Sequence, residues 1–247
     1  MLPGPGWYPD PSNPAAGQRW WDGQQWTHHA VGYGPGPGRG LDRDAEVRSA
    51  NSARVALVVG AGLYALQFLV LSLVYHSFWS NFQHTMDQAQ NGTTASPGLP
   101  GFQGSLLVGE GALQLASIGL LAVGIVFLVW FHRAATVARA AGLPARYSPG
   151  LAVGAWFIPF ANWFMPYQAA VDLLPPGHPQ RGVVGRWWVL WLGTQFVGIF
   201  VGLASLASVG LGVAIGLIGV VIAVSAAAAG REVVRIVTET HAQLLAR

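Results

Sequence analysis

The sequence predicts a mainly α membrane protein with four transmembrane helices, a Pro-broken re-entrant or interfacial segment, and a small N-terminal Trp-rich β-hairpin module. Three observations lead there. Apolar residues make up 52% of the 247 residues and charged ones only 9%, far from the balance of a soluble domain. Four stretches are apolar and long enough to cross a hydrocarbon core of about 30 Å as helices. A further apolar stretch, residues 151–165, is shorter and sits among Pro149, Pro159 and Pro166. As an ideal helix it would reach only about 22 Å, and Pro159 removes a donor and clashes with the preceding turn. Carbonyls freed at membrane depth must be satisfied by protein or water, so the segment reads as a break that the true spans pack around.

Composition also removes function classes. There is no Cys, which excludes disulfides, thiolate metal sites and thiol nucleophiles. All thirteen basic residues are Arg, and a net charge of +3 spread over the loops does not point to nucleic acid. The first residues lack a basic region followed by an apolar run, so no signal peptide is expected.

Residues 1–30 crowd Trp7, Tyr8, Trp20, Trp21 and Trp26 around Asp22-Gly23, a strong hairpin turn signal. A two-residue loop would pair Trp21 with Gln24 and Arg19 with Trp26. Arg19, Trp21 and Trp26 would then share a face, with Arg19 over an indole ring, while Trp20 points the other way onto Trp7 and Pro9. The aromatic residues form either a miniature core or an exposed face that docks a cytoplasmic protein partner. Trp7, Tyr8, Arg19, Trp20, Trp21 and Trp26 are the candidate partner-binding residues. His28 and His29 have no further ligands nearby, so no metal site is expected there. Gly6-Trp7-Tyr8, Asp10-Pro11, Arg19-Trp20-Trp21-Asp22-Gly23 and Trp26-Thr27 together closely resemble domain of unknown function 2510, which carries no established ligand with it.

Residues 31–53 begin as a Gly/Pro-rich tether and turn polar from Leu41, with Asp42 or Asp44 as the N-cap of a polar helix running into the membrane. Arg39, Arg43, Arg48 and Arg54 make this flank basic, which suits contact with membrane lipids of anionic type.

The membrane domain occupies residues 54–247. Its first span is 55–75, with Gln67 expected to make an interhelical hydrogen bond, and a polar loop without Arg follows over 76–104. The second span is 111–131, anchored by Trp130 and extended to a stop at Gly142. After the broken segment, spans three (187–206) and four (209–229) form a hairpin whose Gly198/Gly202 and Gly212/Gly216 pairs allow close backbones. Residues 231–247 read as an amphipathic cytoplasmic or interfacial helix. Arg occurs in the N-terminal flank, in the 132–186 loop and in the tail, but not in 76–104 or near Ser208. Four spans with both ends in the cytoplasm satisfy this pattern, and a fifth crossing would put the Arg-bearing tail outside.

Trp130-Phe131-His132-Arg133, Tyr147-Ser148-Pro149-Gly150, the run from Gly154 to Asn162 and Pro166 resemble domain of unknown function 4328 over residues 54–240. The resemblance implies a bacterial multi-pass membrane protein and brings no known reaction, substrate, cofactor or catalytic residue. Leu151 stands where many relatives carry an aromatic. No paired carboxylates or catalytic motif appear. Glu110 is expected at the headgroup level, and His76, His84 and Asp87 in a solvated outer loop. Pro159, Asn162 and Pro166 are the candidate structural break or ligand site; the Asn162 amide is placed to cap freed carbonyls or to hold an ion or polar ligand. Three functions remain: a membrane-anchored interaction protein, a small transporter or channel with a path at the break, and, with least support, an enzyme. A cavity lined by Asn162, Gln67 and Gln195 would favour transport; a dry bundle would favour a scaffold.

Overall fold

A computed structural model describes residues 4–12, 17–32, 43–92 and 99–246. The tether over 33–42, including Arg39 and the expected cap Asp42, lies outside the described residues.

Near the N-terminus, β1 (Gly6–Pro9), β2 (Gly17–Trp21) and β3 (Trp26–Gly32) form one antiparallel sheet in that order. The expected hairpin is present and gains a third strand. Its register differs from the two-residue turn: Trp21 faces Trp26, and Arg19 faces Ala30 across an irregularity between Arg19 and Trp21. The cause is Asp22, whose Oδ1 accepts the backbone N–H groups of Gln24 at 2.8 Å and Gln25 at 2.7 Å. With Gly23 at a φ of +102°, the turn spreads over residues 22–25.

Among the described residues four helices are long and apolar enough to cross a membrane: α1 (Arg43–Gln90), α2 (Leu99–Ala140), and, beyond the broken segment, two more named below. Between them lie α3 (Pro149–Gly154), a 3₁₀ turn at Ala161–Trp163, and α4 (Met165–Val171). Then come α5 (Arg181–Ala207) and α6 (Val209–Leu244). Four expected boundaries move: α2 begins at Leu99, inside the expected 76–104 loop, α5 begins at Arg181, which places Arg181 and Arg186 on a helix, and α1 and α6 both run on. No Gly or Pro occurs between residues 76 and 90, so α1 continues for 48 residues, about 72 Å, and His76, His84 and Asp87 lie on a helix instead of a loop. The expected separate C-terminal helix is the continuation of α6, carried through by the good helix formers Ala226 to Ala229.

α1 packs against α2 and α6, and α6 against α5, but α2 and α5 are not a packed pair. The broken segment fills the gap between them at one end, α3 against α2 and α4 against α5. The buried core is concentrated at this Arg-rich end, where Ala53, Phe131, Ala134, Leu174, Val184 and Val234 meet. Farther along, Leu115, Ile118 and Leu121 on α2, Ile199 and Leu203 on α5, and Val221 on α6 are exposed, a surface suited to hydrocarbon. The α5–α6 approach rests on α6 glycines: a Cβ at Gly212 would overlap Ser205 and one at Gly219 would overlap Val197. Gly216 serves α1 by admitting the Phe68 ring, while Gly198 and Gly202 have open space.

Candidate functional site

In the N-terminal sheet, alternation splits the aromatic residues between two faces. Trp7 packs on Trp20 with ring centres 5.5 Å apart, as expected. On the other face Trp26 meets Trp21 at 5.3 Å and Tyr8 at 6.4 Å. Arg19 does not lie over an indole. Its Nε and Nη2 donate to Asp10 Oδ2 at 3.0 and 2.9 Å, and its Nη1 donates to the Thr27 carbonyl at 3.3 Å. This pairing, helped by Ser12, holds the Asp10 carboxyl well below the usual carboxylate range. Trp7 is 43% exposed and the other rings are half-buried, so the sheet is both a miniature core and an accessible aromatic surface.

The broken segment has one break and two helix starts. Pro149 lies in the first turn of α3, where Ser148 Oγ accepts the Leu151 N–H at 3.2 Å. Pro166, fully buried, lies in the first turn of α4. Only Pro159 interrupts, followed by Phe160 at a φ of +62°. At six and seven residues, α3 and α4 are each too short to cross. Phe157, Ile158, Phe160, Trp163 and Phe164 are exposed here, the surface expected of an element lying at or in the bilayer.

Asn162 does not cap the break. Its Oδ1 is buried without a hydrogen-bond partner. Ahead of Pro159 the chain tightens into turns, with Trp156 and Phe157 N–H donating to the Val153 and Gly154 carbonyls at 3.1 and 3.0 Å. The Trp163 carbonyl accepts the indole N–H of Trp188 on α5 at 3.1 Å. A tryptophan from α5, and not Asn162, therefore supplies the side-chain donor to this segment.

Trp156 of the broken segment is the hub of an aromatic cluster. It lies 5.7 Å from Phe127 on α2 and 5.2 Å from Trp191 on α5, and with the Phe127–Trp187 contact at 5.7 Å it bridges two helices that share no extended packing. Next to this bridge is a cavity of about 520 Å³ between α1, α2, α5 and α6. Gln67 and Gln195 line it, as the transport alternative requires, but Asn162 does not. Its other polar members are Tyr64, whose hydroxyl donates to the Thr194 carbonyl at 3.5 Å, and Thr194, whose hydroxyl donates to the Trp191 carbonyl at 2.6 Å. Gln67 makes the expected interhelical bond, Nε2 donating to Ser117 Oγ at 3.2 Å. No Arg, Asp, Glu or His lines the cavity.

At the Arg-rich end, polar pairs hold the elements together. His241 is fully buried; its Nε2 donates to the Leu173 carbonyl at 2.9 Å and its Nδ1 lies 2.8 Å from Glu46 Oε1. Asp172 receives the Arg146 backbone N–H at 3.1 Å and its guanidinium at 3.3 Å. Neither pair is signalled by local sequence, because the partners lie far apart in the chain. Glu110, His76, His84 and Asp87 are exposed, and among the described residues no three His, Asp or Glu are grouped to hold a metal ion.

The family model described as Domain of unknown function (DUF4328) matches residues 102–239, and the one described as Protein of unknown function (DUF2510) matches residues 5–38. No curated protein and no solved structure matches the chain.

Proposed function

The chain belongs to the family described as Domain of unknown function (DUF4328), and from that premise we propose that it is a membrane-anchored interaction protein of the plasma membrane. Both termini lie in the cytoplasm, and the N-terminal sheet recruits a cytoplasmic protein to the four-helix bundle. One observation supports this most directly. The sheet holds its tryptophans in T-shaped pairs yet leaves Trp7 exposed and Trp20, Trp21 and Trp26 half-buried, the arrangement that lets rigid aromatic residues anchor a partner at low entropic cost. The test is a crosslinking pull-down from intact membranes with the full chain, with a form lacking residues 1–30, and with Trp7→Ala. A protein captured by the full chain and lost in both variants supports the reading. Equal capture by all three overturns it.

A second reading, a small carrier with its path beside the broken segment, is favoured by the cavity and its glutamines. Its test is uptake into proteoliposomes by the wild-type chain against Gln67→Leu; identical uptake by both, or none, counts against a path there.

A further inference from the structure

We propose that the cavity between α2 and α5 is a binding site for an uncharged amphipathic lipid, one whose small head carries a hydroxyl or carbonyl, entering sideways from the bilayer. The site goes beyond recruitment by the N-terminal sheet and does not require that the ligand be transported.

The opening follows from the packing. Among the described residues, α2 and α5 meet at the Arg-rich end, through Trp156 and the Phe127–Trp187 contact, and have no extended packing beyond it, which leaves a lateral gap between their outward parts. The cavity lies in that gap, walled by Phe127, Trp191 and the small surfaces of Gly60, Gly124 and Ala223. Flanking residues such as Leu121 and Ile199 are exposed, so the gap faces hydrocarbon and not water.

The ligand chemistry follows from the lining. A volume of about 520 Å³ lies in the range of specific small-molecule sites. Because no charged side chain lines it, an ionic head would be left without a counter-charge in a low-dielectric setting, at a cost of several kcal/mol. Hydrogen-bonding capacity is nevertheless present and unspent. Gln195, eight residues past Trp187 and so about 12 Å deeper along α5, carries a side-chain amide with no hydrogen bond. Gln67 spends one N–H on Ser117, and its carbonyl oxygen makes no bond. An unpaired amide at membrane depth is costly; a hydroxyl that accepts from Gln195 and donates to the Gln67 oxygen removes that cost for both, and a carbonyl removes it for Gln195 alone. The apolar remainder of the ligand then covers the aromatic wall.

Gly124 gives a clean way to fill the site, because a Cβ added there meets nothing within 4 Å. The experiment uses the full chain in nanodiscs of neutral phosphatidylcholine doped with a photoactivatable diacylglycerol, or with a photoactivatable phosphatidic acid of the same chains. Labelled residues are read by mass spectrometry. Diacylglycerol should label the cavity wall on α2 and α5 in preference to exposed Leu121, and the phosphatidic acid should not. Gly124→Leu should remove the cavity labelling while leaving that at Leu121. Gln195→Leu should reduce the preference for diacylglycerol over phosphatidic acid about tenfold, the effect of one hydrogen bond. Thermal melts of both variants show whether they fold; if Gly124→Leu does not, Gln195→Leu still decides. Cavity labelling no stronger than at Leu121, equal labelling by the two lipids, or crosslinks that join two copies through the gap would each overturn the proposal.

Discussion

At the scale of single residues, the most informative contacts join positions that sequence spacing does not connect. Asp10 is held below its usual range chiefly by Arg19, so its folded value is depressed relative to the unfolded one. A depressed carboxylate contributes stability above the unfolded pKa of about 3.9, and that contribution is lost as pH falls below it. The sheet should therefore hold constant stability from neutral pH down to about pH 5 and weaken progressively below about pH 4. The Trp20 and Trp26 indole resonances of the selectively labelled full chain, followed in micelles during acid titration, read this directly. Asp10→Asn should weaken the sheet at neutral pH and flatten the acid response; an unchanged titration would mean that Arg19 is not what ties β1 to β2. The His241–Glu46 contact is a second case. Glu46→Ala leaves a fully buried ring nitrogen without a partner and should cost about 1–3 kcal/mol in a detergent melt. Glu46→Gln keeps an acceptor and should recover part of that loss.

At the scale of elements, the proline pattern around residue 159 was readable as a break because a proline acts on its own backbone. What caps the break was not. Asn162 is local and has the right chemistry, but its Oδ1 remains unpaired, while Trp188, twenty-five residues from Trp163, supplies the donor. Trp188→Phe should therefore destabilise the bundle by about 1–3 kcal/mol through an unpaired Trp163 carbonyl and lost ring contacts. Asn162→Leu, which removes a buried unsatisfied oxygen, should be near neutral or mildly stabilising. The reverse order in thermal melts would return the capping role to Asn162. The same distinction explains the hairpin. That Asp22-Gly23 makes a turn was legible, but its length was not, because the Asp22 side chain collects two backbone N–H groups and so sets the register of every tryptophan after it. Helix ends followed suit: the apolar runs marked the stretches long enough to cross a bilayer, but α1 meets no Gly or Pro between residues 76 and 90, and α6 runs on through Gly230. The cavity's two glutamines were visible as polar residues in apolar spans, but the failure of α2 and α5 to pack together is a property of the assembled bundle.

At the scale of the whole molecule, the number of crossings and the position of the core constrain each other. Glu46 precedes the apolar stretch 55–75 of α1, Leu173 lies between α2 and α5, and His241 follows the apolar stretch 209–229 of α6. The His241 ring bonds to both of the others, at 2.8 and 2.9 Å, so all three must lie on one side of the membrane. Only an even number of crossings before Leu173, and again between Leu173 and His241, allows this. A fifth crossing at the broken segment would put Leu173 and His241 together on the side opposite Glu46 and pull the Glu46–His241 contact apart. Which side they share is a question of charge. Arg residues sit in the N-terminal flank, in the 132–186 loop and in the tail, and none occurs in 76–104, so the shared side should be the cytoplasm. Reporter fusions after Gly142 and after Arg247 should therefore both read cytoplasmic, and a fusion near Asn91 should read exterior. An exterior signal at Arg247 with a cytoplasmic one at Gly142 would break the three-way contact as well as the topology. In that case Glu46→Ala, predicted above to lower the melting temperature, should have no effect. The topology assay and the melt therefore test the same packing from opposite ends of the chain.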